Sequence, residues 1–228
     1  MPTVLVTGAN RGLGREFVRQ YLADGWRVIA CCRAPEKARE LKAMTSANLV
    51  IKPLDVTSTD AIAALAQALR NDAIDLLINN AGIAGREAGE FGRIDARTYA
   101  ATMFTNAISP LLVTQALLAN LERGQGKTVV TISSQLGSIA RNQTGGRYAY
   151  RSSKAAVNAA MKSLAIDLEP RGINVVVMHP GWVRTDMGGS GADLTPEASV
   201  EGMRRVIAGL GPQQSGHFLN HDGQEIPW

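Results

Sequence analysis

The chain has 228 residues, of which 45% are hydrophobic and 19% charged, an ordinary balance for a globular domain and the wrong one for a disordered chain. Its longest apolar runs, such as Val175–Met178, fall far short of the ~20 residues a membrane-crossing helix needs. A net charge of +4 is scattered without a basic run, and aromatics make up only 5%, so neither a membrane nor a nucleic acid is expected as a partner.

A strand-like run, Thr3–Thr7, opens the chain, and no targeting peptide is expected. Arg15–Asp24 reads as a helix, with Phe17, Val18, Tyr21 and Leu22 on one face and Gly25 as its stop. Arg27–Cys32 is a second strand. Its end holds the only two cysteines, Cys31 and Cys32. Adjacent residues do not easily reach disulfide geometry, which suits a reducing, cytoplasmic setting. A helix follows Pro35, and Leu49–Leu54 is the third strand. Thr59 or Asp60 caps a helix carrying Ile62, Leu65 and Leu69.

Asp75–Ile78 is the fourth strand. A long helical stretch, about Ala96 to Leu121, follows, and Pro110 should bend or interrupt it. Thr128–Ser133 is strand five, Ala149–Glu169 a helix and Ile173–Met178 strand six. Thr195-Pro196-Glu197 reads as a helix start, with Thr as N-cap and Pro at the first position. Val200, Met203, Ile207 and Leu210 lie along that helix. His217–Asn220 fits a seventh strand. Apolar strands alternating with helices predict an α/β fold: a doubly wound, Rossmann-type parallel sheet of about seven strands with helices on both faces. No linker or repeat is visible, so residues 1–228 are expected to form one domain.

The first strand runs into Thr7-Gly8-Ala9-Asn10-Arg11-Gly12-Leu13-Gly14 and then a helix. Glycines allow a sharp turn and close approach to a pyrophosphate. A helix N-terminus adds free N–H groups and partial positive charge. In this position the G-x-x-x-G-x-G spacing predicts a dinucleotide site. An NAD site carries an acid roughly 20 residues further on, for the ribose 2′-hydroxyl. Here strand two ends Cys31-Cys32-Arg33. Arg33, with Arg11 from the glycine loop, would suit a 2′-phosphate, so NADP(H) is expected ahead of NAD(H). No metal is expected.

Tyr150 and Lys154 are four residues apart and share a helix face with Val157, Met161, Leu164 and Leu168. Two polar side chains heading a buried stripe are expensive unless paired or in use. From the helix alone, Lys154 could equally snorkel past the helix end. Carbonyl reduction, however, needs a proton beside the arriving hydride. A tyrosine can supply it if its pKa, ~10 in reference, is brought down, and a nearby ammonium would do this. Ser133 and Ser134, at the end of strand five, are the candidate hydroxyls for the carbonyl oxygen. Strand alternation lets only one of them face the site.

These segments resemble the short-chain dehydrogenase/reductase superfamily along essentially the whole chain. The matching stretches are Thr7–Gly14, Asp55-Val56, Asn79-Asn80-Ala81-Gly82, Asn106, Ile132-Ser133-Ser134, Tyr150-x-x-x-Lys154 and Pro180-Gly181-Trp182-Val183. The sequence is more closely similar to the branch of sniffer-type carbonyl reductases and C-factor signalling proteins, in Gly145–Arg151, Gly181–Met187 and Asp222-Gly223…Pro227-Trp228.

The resemblance implies an NADP(H)-dependent oxidoreductase acting on a small carbonyl or alcohol, often as a homodimer or tetramer. It implies Tyr150 as proton donor. Lys154 would lower its pKa and bind the nicotinamide ribose, and Ser134 would polarise the carbonyl, with Ser133 as runner-up. Asn106 would hold a water linking Lys154 to solvent. Asp55 and Val56 would contact adenine; Asn80, Ala81 and Gly82 would line the cofactor cleft; and Asn79 would tie strands together. Pro180, Gly181, Val183 and Thr185 would hold the carboxamide end. Ser134 precedes Tyr150 by 16 positions, more than many relatives show, because of the polar loop Ser138–Gly146. The short, glycine-rich segment between Met187 and Thr195 predicts an open, permissive pocket. The same resemblance permits a signalling protein of C-factor type that binds the dinucleotide with little turnover.

Overall fold

The computed structural model describes residues 1–228. Seven parallel strands form one sheet: β1 (Thr3–Thr7), β2 (Arg27–Cys32), β3 (Leu49–Pro53), β4 (Leu76–Asn79), β5 (Thr128–Ile132), β6 (Asn174–His179) and β7 (Phe218–Asn220). Their spatial order is β3-β2-β1-β4-β5-β6-β7. The chain moves outward from β1 in one direction, then returns and moves outward from β4 in the other. The crevice at that reversal, beyond the carboxyl ends of β1 and β4, is where such sheets bind ligands.

Strand alternation divides the core into two layers. Leu5, Ile29, Leu77, Val129, Val175 and Val177 face one side. They pack with α3 (Thr59–Ala68), α5 (Ser109–Ala116) and α7 (Tyr148–Leu168) through Ile62, Val113, Val157 and Met161. Val4, Val6, Val28, Ile78, Val130 and Met178 face the other. There they meet α1 (Gly12–Ala23) through Phe17, Val18 and Tyr21, and α8 (Pro196–Ala208) through Val200 and Met203. The doubly wound, three-layer arrangement is the one predicted. Cys31 and Cys32 are free and buried, one in each layer.

Several boundaries differ from expectation, and the helix expected after Pro35 is the short α2 (Arg39–Lys42). Helix α1 begins at Gly12, three residues before the predicted start, so the glycine loop supplies the helix's own first turn. Ser58, not Thr59 or Asp60, caps α3, its Oγ accepting from Ala61 N at 3.2 Å. Thr195 caps α8 as predicted, accepting from Ala198 N at 3.2 Å.

The long stretch after β4 is three helices: α4 (Ala96–Met103), α5 and α6 (Leu118–Arg123). A π turn, Phe104–Ile108, separates α4 from α5. Pro110 has no N–H to give the carbonyl at position 106. The helix widens just before it instead of kinking at it. That widening carries Asn106, which is buried.

Candidate active site

The glycine loop is built for close approach. A Cβ at Gly14 would lie 2.2 Å from Gly8 O, and one at Gly8 would lie 2.9 Å from Ala81 Cα, in a backbone turned to φ 65°. No side chain fits at either position. Thr7 and Asn80 tie this loop to the end of β4. Thr7 Oγ1 accepts from both Asn80 N and Ala81 N at 3.0 Å. Asn80 Nδ2 donates to Thr7 O at 2.9 Å and Gly8 O at 3.2 Å. Asn80 thus braces the crevice from behind. Asn79, expected to tie strands together, instead ties β4 to α5, its amide donating to Thr114 Oγ1 at 3.1 Å.

Across the crevice lies the segment following β6. A Cβ at Gly12 would stand 3.5 Å from Thr185 Cγ2. Arg11, expected near a 2′-phosphate, is paired with Asp186 at 2.8 Å, both side chains well exposed. Asn10 and Arg33 are exposed. Arg33 is close enough for its charge to act on Asp55, whose carboxylate accepts from Thr57 Oγ1 at 2.7 Å and Thr57 N at 2.9 Å. These bonds, the Thr57 hydroxyl foremost, hold Asp55 below the usual carboxylate range. Val56 is buried in the core. N–H groups left uncapped by any side chain at the head of α1, a cradle without room for a Cβ and two unburied guanidiniums suit a phosphorylated dinucleotide.

A cleft of about 500 Å³ opens beside Leu13 and runs between the segments that follow β4, β5 and β6. Tyr150 and Ser134 stand in its wall, the Ser134 hydroxyl near enough to act on the phenol. Ser134 Oγ also accepts from Leu136 N at 3.2 Å. Ser133 also borders the cleft, but its hydroxyl donates to Asn158 Oδ1 at 2.7 Å within the interior. Burial holds the Tyr150 phenol above its ordinary value near 10, while the nearby Ser134 hydroxyl and the Arg147 charge pull the other way. The phenol is therefore protonated at neutral pH.

Lys154 lies behind Tyr150 and does not snorkel. It is 5% exposed. Its ammonium donates to Ile132 O at 2.8 Å, and burial pushes its pKa down to about 8. The groups that act most on the phenol in this arrangement are Ser134 and Arg147, while the Lys154 ammonium, directed at Ile132 O, stands 5.8 Å from the centre of the Tyr150 ring.

Asn106 Oδ1 accepts from Ile83 N at 2.9 Å. Its Nδ2 donates to Ile83 O at 2.9 Å and Ser153 Oγ at 3.0 Å. A water contact would have to use the remaining Oδ1 lone pair. A Cβ at Gly82 would lie 3.2 Å from that oxygen and 3.7 Å from Lys154 Nζ, so amide and ammonium share the space over Gly82.

The segment after β6 holds itself in shape. Ser199 Oγ donates to Pro180 O at 2.6 Å, Trp182 Nε1 to Gly188 O at 2.9 Å, and Gly188 N to Thr185 Oγ1 at 3.1 Å. Val183 is buried, and Gly181 passes so close to Leu194 that a Cβ would meet its Cδ1 at 2.4 Å.

Sequence reasoning missed several residues of the cleft wall. Met187 Sδ lies 3.9 Å from the Tyr150 hydroxyl. Arg86 donates to Met187 O at 2.7 Å, joining the segments after β4 and β6. The cover predicted to be open is thus tied down at Met187. His179 is 7% exposed and its Nδ1 has no partner. Burial, with the charges of His221 and Arg141, pushes its pKa down to about 4. A histidine ending an apolar strand was the signal available for it.

A family model described as short chain dehydrogenase matches residues 2–193. The chain is 48% identical over 155 residues to "C-signal" of Myxococcus xanthus, which covers 68% of this chain and 93% of that protein. It superposes along its full length on the carbonyl reductase Sniffer of D. melanogaster, with a TM-score of 0.93 at 36% identity over all of that chain. It does the same on the NADPH-bound carbonyl reductase from chicken fatty liver, with a TM-score of 0.93 at 39% identity over 99% of that chain. With the family model spanning most of its length and the glycine crevice meeting the Tyr150–Lys154 pair, the chain belongs to the short-chain dehydrogenase/reductase family, in the branch of the Sniffer-type carbonyl reductases and C-signal.

Proposed function

We propose that this chain, acting as a single domain over residues 1–228, is an NADP(H)-dependent reductase of small aldehydes or ketones. One observation carries the reading: two hydroxyls from different elements, Ser134 and Tyr150, line one cleft that begins at the glycine loop, the first near enough to act on the second. Gly8, Gly12, Leu13 and Gly14 would hold the pyrophosphate, with Asn10 at the loop's rim. Arg11 and Arg33 would hold the 2′-phosphate, once Arg11 leaves Asp186. Asp55 and Val56 would flank the adenine. Asn80, Ala81 and Gly82 would form the crevice wall, and Pro180, Gly181, Val183 and Thr185 would receive the carboxamide. The NADPH in the chicken carbonyl reductase at 39% identity supports this choice of cofactor.

When bound, the reduced nicotinamide supplies the hydride that adds to the carbonyl carbon. Ser134 donates a hydrogen bond to the carbonyl oxygen and orients it beside Tyr150. Tyr150, protonated at neutral pH, gives its proton to that oxygen as negative charge develops there, and the product is an alcohol. Tyr150 is left as phenolate and regains a proton from solvent. Lys154 stabilises the phenolate, since its ammonium sits in a poorly solvated interior where charge acts strongly. Asn106 positions the Gly82–Ile83 segment over Lys154.

The experiment follows NADPH oxidation with a panel of aldehydes and ketones for the wild type and Tyr150→Phe. Loss of turnover by a hundredfold or more with NADPH binding retained is expected. A variant that keeps its activity removes Tyr150 from the acid role.

A second reading is favoured by the 48% identity to C-signal: a signalling protein that binds the dinucleotide without significant turnover. NADPH binding without oxidation of any carbonyl in the panel would select it.

A further inference from the structure

Arg147 stands at the N-cap of α7, three residues before Tyr150, and breaks the local rules there together. Its backbone is left-handed at φ 48°, following Gly145 at 61° and Gly146 at 63°. The two glycines take that conformation without steric cost, whereas an arginine does not. An N-cap normally carries a side chain that accepts from the first turn, and Arg147 makes no such bond. It also sets a positive charge at the helix end where positive charge is unfavourable. Glycine would serve the fold better at this φ. Local rules broken together at one cleft residue point to function.

The surroundings hold this residue in place. Glu90 accepts the Arg147 backbone N–H at 3.2 and 3.4 Å. Arg151 braces the preceding turn, donating to Gly145 O at 3.1 Å and Thr144 Oγ1 at 2.7 Å. The Arg147 side chain lines the same cleft as Tyr150, near enough for its charge to act on the phenol. The neighbouring charges are already engaged. Arg86 bonds Met187 O, and Glu90 bonds the Arg147 backbone. The Arg147 guanidinium is the charged group in the wall left without a hydrogen bond.

We infer that Arg147 determines specificity, by binding the carboxylate of carbonyl substrates that carry one. The fork of N–H donors matches a carboxylate and lets it sit in the cleft with its carbonyl at Tyr150. This rests on the carbonyl-reductase reading, and its test is built to separate the two.

The ratio of kcat/KM for 3- and 4-carboxybenzaldehyde to that for their methyl esters is measured with NADPH in the wild type, Arg147→Gln and Arg147→Gly. In parallel, calorimetry measures binding of the corresponding carboxy and ester benzyl alcohols to the NADP⁺-loaded proteins. The glutamine variant keeps the left-handed backbone without the charge. The glycine variant relaxes that backbone, so it folds even if the glutamine variant does not. The acid-to-ester ratio is expected to fall at least about tenfold in both variants, by kinetics and by calorimetry. A ratio unchanged by either substitution, or equal losses for acid and ester, would overturn the inference, the latter placing Arg147 behind Tyr150's acidity alone. Acid-selective binding lost in the variants, with no turnover of any aldehyde, would uphold Arg147 and sink the reductase reading.

Discussion

The Nζ of Lys154 lies 5.8 Å from the centre of the Tyr150 ring, one helical turn away, with its proton directed at Ile132 O instead of the phenol. Lys154 therefore sits as an ammonium with one hydrogen bond in a place that penalises charge. Its folded pKa, about 8, is below its ordinary 10.5. The unfolded chain binds the extra proton between those values, so stability rises with pH through that window, and the penalty is in full force below pH 8. It amounts to about 3 kcal/mol. Lys154→Met should raise the melting temperature of the cofactor-free protein at pH 7 while removing turnover. A lower melting temperature would show that the bond to Ile132 outweighs the burial. For the wild type, NADPH affinity should weaken as pH rises through about 8, where Lys154 loses its charge. Lys154→Arg should move that loss to higher pH, read by fluorescence titration.

His179 tests the other end of the pH range. Its folded pKa, about 4, lies below the ordinary 6.5. Stability from the neutral imidazole is complete above pH 6.5 and is lost as pH falls toward 4. Between pH 7.5 and pH 5 the loss should be about 2 kcal/mol. Urea unfolding at the two pH values should show it, and His179→Asn should flatten the difference. An unchanged slope in the variant would assign the acid sensitivity to carboxylates.

The serines at the end of β5 should separate cleanly. Ser134→Ala removes a hydroxyl that shares the cleft wall with Tyr150, so kcat/KM should fall ten- to a hundredfold with little change in stability. Ser133→Ala strands Asn158, whose Nδ2 already lacks a partner. It should cost about 1–3 kcal/mol in unfolding experiments, with activity reduced less than in the Ser134 variant. The reverse pattern would return the catalytic role to Ser133.

The sheet was legible because each apolar strand alternates with a helix, and β1 and β4 flank the reversal that places the crevice. The glycine loop and the Tyr150–Lys154 pair were legible from local spacing, which a helix converts directly into a shared face. What escaped depends on contacts distant in sequence. Nothing near Met187 marks it as a neighbour of Tyr150, and nothing near Arg11 shows that Asp186, 175 residues away, will hold it. The direction of the Lys154 ammonium was equally hidden, because it is set by the end of β5. Pro110 announced an interruption but not its form, since a π turn is a response of the whole helix to a missing donor.

The pairing of Arg11 with Asp186 leads to the last prediction. The pair is exposed, with side chains 65% and 79% accessible, so it is worth well under about 1 kcal/mol to the fold. Yet it places a carboxylate beside the arginine proposed to receive the 2′-phosphate, and that carboxylate competes for the guanidinium and repels the phosphate. Asp186→Asn should therefore tighten NADPH binding several-fold without changing NADH binding or the melting temperature. The gain should shrink at high salt, where exposed charges are screened. Arg11→Ala and Arg33→Ala should each weaken NADPH relative to NADH by about tenfold or more. If Asp186→Asn tightens both dinucleotides alike, Asp186 acts on the shared pyrophosphate, and Arg33 is left as the residue that reads the 2′-phosphate.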